Sequence, residues 1–278
     1  MPELPEVETI CRILRDGRDG LPSLVGKNII DAEILWEGCI ASPTPSEFQT
    51  LIRGEVIREI GRRGKYIRFL LSKYELIFHL RMSGDIFLEA QDQESTRHVR
   101  LLLNLDNGWR LSFYNPRKFG RVWLLDDTQE FFSHLGLEPL DEDFSAKRLY
   151  MMLQSHRRQL KPLLMDQAFL AGMGNIYTDE ALFIAKLHPL TRSDAINEFE
   201  ARRLWSAIRK VLLDGIRSNG SSIDWAYRRG GFQNYFQVYQ RTGEPCYTCG
   251  TPIKRIVVAQ RGTHFCPHCQ PPPDDNFS

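Results

Sequence analysis

Val7, Ile10, Cys11 and Leu14 recur at helical spacing shortly after Pro5, a residue tolerated in the first turn of a helix, and predict a short amphipathic helix. From about residue 26 to residue 126 the texture changes to short β-rich runs: NIIDAEILW, EVIREI, KYIRFLLS, ELIFHLRM, HVRLLLNL, WRLSFYN and GRVWLLD. Gly, Asn, Asp or charged turns part them, so this half reads as a β-sandwich or barrel, with the polar QDQEST at 91–96 as a loop. Beyond residue 127 the period becomes helical in QEFFSHLG, AKRLYMMLQSH, NIYTDEALFIAKLHP and the long SDAINEFEARRLWSAIRKVLLDGIRSNG. In that last run Ser193 and Asp194 are the expected amino cap. Phe199, Leu204, Ile208, Val211, Leu212 and Ile216 form its apolar face, and Asn219-Gly220 its stop. A β-half followed by an α-half predicts segregated α+β domains.

With 278 residues, 42% hydrophobic and 11% aromatic, the chain can bury a sizeable core. No run approaches the roughly 18 apolar residues of a membrane-spanning helix. The start, MPELPEVETICRILRDG, is acidic where a secretory signal is basic and then apolar, so the expected location is the cytoplasm. Lys plus Arg number 36 against 35 Asp plus Glu, so net charge neither demands nor excludes a nucleic-acid partner.

Chemistry enters with the cysteines. Cys246 and Cys249 are spaced as CxxC, as are Cys266 and Cys269, and the gap between the pairs suits a four-thiolate zinc site. So small a unit cannot bury enough apolar surface to fold alone, and one zinc ion would supply the stability; four thiolates close its shell, making it structural. Four buried or disulfide-paired cysteines are the alternative, and His264 and His268 are alternative ligands. Between the pairs, IKRIVVAQRGTHF reads as two strands joined by a turn at Gln260, Arg261 and Gly262. An Arg at that tip suits phosphate or base contact, or is simply solvated. Cys11 and Cys39 sit in apolar settings as small core residues.

The amino terminus offers a second chemistry. Pro2 follows Met1, and a small second residue permits removal of the methionine, exposing a secondary amine. An α-amino group has a reference pKa of roughly 7.7 to 8, so a usable fraction is unprotonated near neutrality. Attack on a sugar's anomeric carbon would give an iminium, with Glu3 and Glu6 near enough in sequence to move protons or position groups. The plainer alternative is a helix start with acidic residues at the positive end of the dipole.

MPELPEVET, MDQAFLAGMGNIYTDEALF and CxxC…QRGTHFCPHC occur in that order, and the chain resembles the formamidopyrimidine-DNA glycosylases of the Fpg/Nei family over nearly its whole length. The resemblance implies a bifunctional base-excision enzyme that removes an oxidised purine and nicks the abasic strand by β,δ-elimination. It also implies a β-sandwich domain with flanking helices at residues 1–127, a helix-two-turn-helix domain with a lesion-capping loop at 128–235, a zinc finger at 236–270 and a flexible tail at 271–278, with DNA in the cleft. Carried over by motif, Pro2 is the Schiff-base nucleophile, Glu3 the acid that protonates the sugar ring oxygen, and Glu6 its support. Lys65 in RRGKYIRF contacts phosphate and donates a proton in β-elimination, where a lone strand lysine would otherwise be solvated. Arg261 binds the phosphates flanking the lesion and takes part in δ-elimination.

Extruding a base leaves a gap, and Met82 in HLRMSG with Arg117 and Phe119 in NPRKFG resembles the family's void-filling trio of wedge, cytosine-reading guanidinium and stacking ring. Met82 and Phe119 taken singly would be core residues. His98, Asn175 and Arg157 match the family's DNA contacts, with Arg158 an alternative to Arg157. Two positions depart from the pattern: Asn115, where many relatives have Asp, bears on how the Arg117 loop is braced, and Ser83, where a subset has Glu, on lesion preference. In the loop SIDWAYRRGGFQNYF, Trp225, Tyr227, Arg228 and Arg229 either clamp a nucleotide or are ordinary loop residues. The expectation is a monomer acting on duplex DNA with oxidised bases, with no membrane and no protein partner implied. An endonuclease VIII-like pyrimidine glycosylase and a non-catalytic zinc-finger DNA-binding protein are the competing readings.

Overall fold

A computed structural model describes residues 1–18, 20–94, 96–222 and 230–273. The chain divides into two compact units, Met1–Ser133 with Asn219–Gly230, and His134–Ser218 with Gly231–Ser278. Among the described residues no helix is long and apolar enough to cross a membrane.

The first unit is a β-sandwich with flanking helices. One sheet runs in the order β1 (Ile29–Ile34), β7 (Val99–Leu105), β8 (Trp109–Tyr114), β6 (Asp85–Ala90), all antiparallel. The other runs β2 (Ile40–Ser42), β9 (Arg121–Leu125), β5 (Glu75–His79), β4 (Tyr66–Leu70), β3 (Glu59–Arg63), with β2 parallel to β9. Ile67, Phe69 and Phe78 from one sheet and Leu101, Leu111 and Phe113 from the other share a core, with the rings of Phe78 and Phe113 5.5 Å apart. Helix α1 (Leu4–Asp16) lays Val7, Ile10, Cys11 and Leu14 into that core, each burial contributing about 2 kcal/mol. On its other face Glu8 pairs with Arg12 and with Arg62 of β3.

Three elements of this unit escape the hydrophobic pattern. Helix α2 (Pro45–Ile52) is announced only by its capping box, in which Thr44 accepts from the Glu47 N–H and Glu47 reaches back to the Thr44 N–H. Strand β6 is disguised by acidic residues, because Glu89 is buried and answered across the sheet by Arg110 at 2.9 Å. Strand β2 is too short to show a period. The EVIREI run is only partly strand: β3 begins at Glu59, while Glu55 accepts hydrogen bonds from the Ser72 hydroxyl and the Lys73 N–H. A short helix, α3 (Gln129–Phe132), ends the unit.

The second unit holds α4 (Ala146–Gln154), α5 (Leu160–Met165), α6 (Asn175–Ile184), α7 (Glu198–Arg217) and a hairpin of β10 (Lys254–Val258) and β11 (Arg261–Phe265). Helix α7 starts later than Ser193-Asp194 would place it. Asn197 accepts from the Glu200 N–H at 2.9 Å and Glu200 returns the bond at 3.0 Å, whereas the Ser193 hydroxyl donates to His156 O and Asp194 holds Arg192. Phe199, expected on the apolar face, is instead 68% exposed beneath Arg203, because at 100° per residue it stands roughly opposite Leu204, Ile208 and Val211. The carboxyl end is as expected, with Asn219 and Gly220 both at positive φ, 57° and 77°. Against α6, Gly215 lies so close to the buried Tyr177 ring that an added Cβ would approach it to 2.6 Å.

Candidate functional site

The start of the chain is taken into the fold. Pro2 is buried, and Glu3 and Glu6 are 3% and 2% exposed. The Glu6 carboxylate is fully engaged: one oxygen accepts from the Glu3 N–H at 2.8 Å, the other from the Ser221 N–H at 2.7 Å and the Ser221 hydroxyl at 3.2 Å. Gly220 is so close that a Cβ there would come within 2.7 Å of Glu6 Oε1. Glu6 therefore ties the Pro2–Glu3 segment to residues 219–222, a tie that sequence separation hides. Ser222 and Gly230 are joined by paired 2.8 Å bonds, the Ser222 hydroxyl donating to Gly230 O and accepting from the Gly230 N–H. Trp225, Tyr227, Arg228 and Arg229 lie outside the described residues.

Lys65 is not the solvated strand lysine of the plain reading. It sits in the two-residue turn with Gly64 that links β3 to β4, and it is buried. Its charge acts on His79, which burial first, then repulsion from Arg81 and Lys65, pushes down to about 3; the imidazole is neutral at physiological pH. His79 Nδ1 accepts from the Arg81 N–H, which puts the ring proton on Nε2.

On the same unit, Met82, Arg117 and Phe119 project from loops. Met82 is 43% and Phe119 50% exposed, so neither is a core residue, and the Arg117 guanidinium lies 5.3 Å from the Phe119 ring centroid. Half-buried His98 contacts Arg100 at 3.4 Å and the Tyr114 ring edge-on.

The second unit gathers another group. Asn175 opens α6 and its Nδ2 donates to Gly262 O at 3.1 Å and to the Tyr239 hydroxyl at 3.4 Å. Behind it Lys161, wholly buried, pairs with Asp179 and donates to Gly262 O at 3.3 Å, while the other Asp179 oxygen accepts from the His264 N–H at 2.9 Å. Lys161, Asp179 and Tyr239 carry no sequence signal of their own, and His264, an alternative zinc ligand by sequence, is held by Asp179 instead. Asp179 lies within the NIYTDEALF motif, but no spacing marks its partners. Removing Asp179 would strand a buried ammonium, so Asp179→Ala is expected to cost about 3–5 kcal/mol, read by denaturant unfolding. A loss under about 1 kcal/mol would show the pair to be dispensable.

The hairpin turn falls earlier than expected. Val258 pairs with Arg261, leaving Ala259 and Gln260 as a two-residue turn with both φ values positive, 46° and 62°. Arg261 and Gly262, both expected in the turn, lie in β11. Arg261 is thus the exposed first residue of that strand, beside a cavity of about 270 Å³ that Arg158 and Lys161 also line. Arg158 is held by Asp166 at 2.6 Å, whereas the Arg157 side chain is 85% exposed, with Asp194 at 3.8 Å, leaving Arg157 the freer cation.

The four cysteines of the finger, Cys246, Cys249, Cys266 and Cys269, bring their sulfurs within 4.8 Å of one another, with Cys246–Cys269 at 3.9 Å and Cys249–Cys266 at 3.4 Å. A tetrahedral ion with Zn–S of about 2.3 Å needs sulfurs about 3.8 Å apart, so the set fits one structural Zn2+. No disulfide joins them, His264 is committed to Asp179, and His268 is outside the cluster. Cys11 and Cys39 are wholly buried, and burial raises both thiols, Cys39 to about 12, as inert core residues.

Comparison with known proteins gives three consecutive matches: a formamidopyrimidine-DNA glycosylase N-terminal domain at residues 1–122, a formamidopyrimidine-DNA glycosylase H2TH domain at 135–226, and a zinc finger found in FPG and IleRS at 243–272. The formamidopyrimidine-DNA glycosylase of Chloroflexus aurantiacus is 45% identical over 280 residues, spanning 97% of this chain and 98% of its own. That of Protochlamydia amoebophila is 42% identical over 279 residues, spanning 97% and 99%. Among solved structures, Lactococcus lactis Fpg (MutM) in complex with a DNA containing N7-benzyl-Fapy-dG superposes with a TM-score of 0.90 at 37% identity, over 98% of this chain and 100% of that one. MutM in complex with DNA containing carbocyclic 8-oxo-G superposes at 0.89 with 37% identity and the same coverage.

Proposed function

Because the chain belongs to the formamidopyrimidine-DNA glycosylase family, we propose that it excises oxidised purines, 8-oxoguanine and formamidopyrimidines, from duplex DNA and then nicks the strand as an abasic-site lyase. Pro2, once freed of Met1, attacks the anomeric carbon through its secondary amine. Glu3 protonates the ring oxygen as the glycosidic bond breaks and the base leaves, and the opened sugar carries an iminium to Pro2. Loss of a proton next to that iminium expels the 3′ phosphate, with Lys65 donating a proton in this β-elimination. A second elimination, aided by Arg261, expels the 5′ phosphate. Glu6 holds the segment in register. Arg117, Arg157, Asn175, His98 and Arg261 meet the DNA, and Met82 with Phe119 enters the space the base vacates. The zinc holds the finger and takes no part in bond making.

The observation that carries this reading is the burial of Glu3 and Glu6 beside a buried Pro2. Acidic residues that merely favour a helix dipole sit in water at little cost, whereas two carboxylates removed from water are expensive unless held for a purpose.

Duplexes carrying 8-oxoguanine or thymine glycol are expected to be cleaved with strong preference for the purine lesion. Preference for thymine glycol would move the protein to the endonuclease VIII-like branch. Binding without cleavage of either would leave only the zinc-finger DNA-binding reading.

A further inference from the structure

We propose that Asn115 is a positioning residue whose buried side-chain amide clasps the Met82 loop to the Arg117–Phe119 loop, so that wedge, cytosine reader and stacking ring move as one piece. The proposal rests on the reading that these three residues fill the gap left by the extruded base. Asn115 is 1% exposed and directly follows β8. Its N–H donates to His98 O at 2.9 Å, and its carbonyl accepts from Arg100 Nε at 2.9 Å and from the Lys118 N–H at 3.3 Å, which shapes the Arg117 loop. Its side-chain Nδ2 donates to Leu80 O at 3.4 Å. Leu80 O also accepts from the Gly84 N–H at 3.0 Å, closing the turn that carries Met82 at its tip. Since Leu80 follows β5 and Asn115 follows β8, the amide joins an end of the five-stranded sheet to an end of the four-stranded one.

Both loops approach the amide through a glycine. A Cβ on Gly84 would stand 2.9 Å from Asn115 Nδ2 and 2.5 Å from Leu80 O, and one on Gly120 would stand 2.2 Å from that Nδ2. Each loop turns through a non-glycine residue at positive φ, Arg81 at 53° and Lys118 at 60°, a conformation that persists only when its surroundings enforce it. Asn115 Oδ1 is buried with no hydrogen-bond partner. An apolar side chain of similar size would leave no such atom unpaired, so the amide's value at this position lies in the donor it directs at Leu80. Buried clasp and exposed tips divide the labour: Met82 and Phe119 are free to enter DNA while their bases cannot part.

The test compares Asn115→Ala, Met82→Ala and the double variant on two substrates: a duplex with 8-oxoguanine, which requires gap filling, and a single-stranded abasic oligonucleotide, which does not. Asn115→Ala is expected to cleave the lesion duplex about tenfold more slowly, the loss of one hydrogen bond of typical worth. Its single-strand nicking should stay at the parent rate, and the double variant should be no slower on the duplex than the slower single variant. Parental rates on both substrates, equal losses on both, or additive losses in the double variant would each overturn the clasp. If Met82→Ala itself cleaves the lesion duplex at the parent rate, the gap-filling reading fails, and the clasp with it.

Discussion

Protein that carries an extra residue ahead of Pro2 is expected to form no borohydride-trapped adduct with an abasic duplex and to nick it about a thousandfold more slowly than protein beginning at Pro2. The reason is electronic. Behind Met1 the Pro2 nitrogen is an amide whose lone pair is delocalised into the carbonyl, so it neither attacks the sugar carbon nor forms an iminium. Freed, it is a secondary amine with a reference pKa near 8, roughly two units below a lysine, and a useful fraction is unprotonated at neutral pH. The Glu6 carboxylate is held by the Glu3 and Ser221 N–H groups, neither of which is removed with Met1. Pro2→Gly keeps an amine but loses the ring that fixes the backbone, and should trap more weakly. Intact mass measured before and after reduction reports methionine removal and adduct formation together. Equal trapping by the extended and processed proteins would remove Pro2 from the chemistry.

What could be read in the sequence was local. The 3.6-residue period of Val7, Ile10, Cys11 and Leu14 gives α1, and the apolar runs give most of both sheets, because these signals lie within a few residues of one another. The doubled CxxC gives the zinc site for the same reason. Signals failed where a long-range partner rewrites a residue's meaning. Glu89 carries no strand signal until Arg110 answers it across the sheet, and Lys65 reads as a solvated strand lysine until the hairpin turn buries it. Glu6 meets Ser221 from 215 positions away, and Lys161 meets Gly262 from 101, so neither the tie at the chain start nor the anchoring of the finger has a spacing to betray it. The finger turn, expected at Gln260, Arg261 and Gly262, lies at Ala259 and Gln260, where two non-glycine residues take the positive-φ positions that a sequence pattern rarely assigns to them. Met82 and Phe119 are separated from the core residues their side chains resemble only by their exposure in the fold.

Stripping the zinc with a strong chelator is expected to melt residues 243–272 while leaving the β-sandwich folded, and to weaken DNA binding about a hundredfold. The finger's own buried apolar residues, Cys246, Ile253, Val258, Phe265 and Cys266, are far too few to offset the ordering of some thirty residues. The metal closes that gap, since structural zinc supplies an apparent 10–16 kcal/mol in comparable small modules. Its loss should travel further than the cysteines. The β10–β11 hairpin would release Gly262 O from Asn175 and Lys161, and the His264 N–H from Asp179, so Arg261 would lose its fixed place beside the cavity it shares with Arg158. The Lys161–Asp179 pair itself would survive, because neither partner belongs to the finger; α5 and α6 should therefore stay docked and the damage stop at the hairpin. Hydrogen exchange resolves this directly: amides of residues 254–265 should lose protection together on chelation, those of α6 and α7 should keep it, and readdition of zinc should restore both protection and binding. Metal-free protein whose hairpin amides stay protected would show that the buried ion pair and the Asn175 contact, not the four thiolates, hold the finger in place.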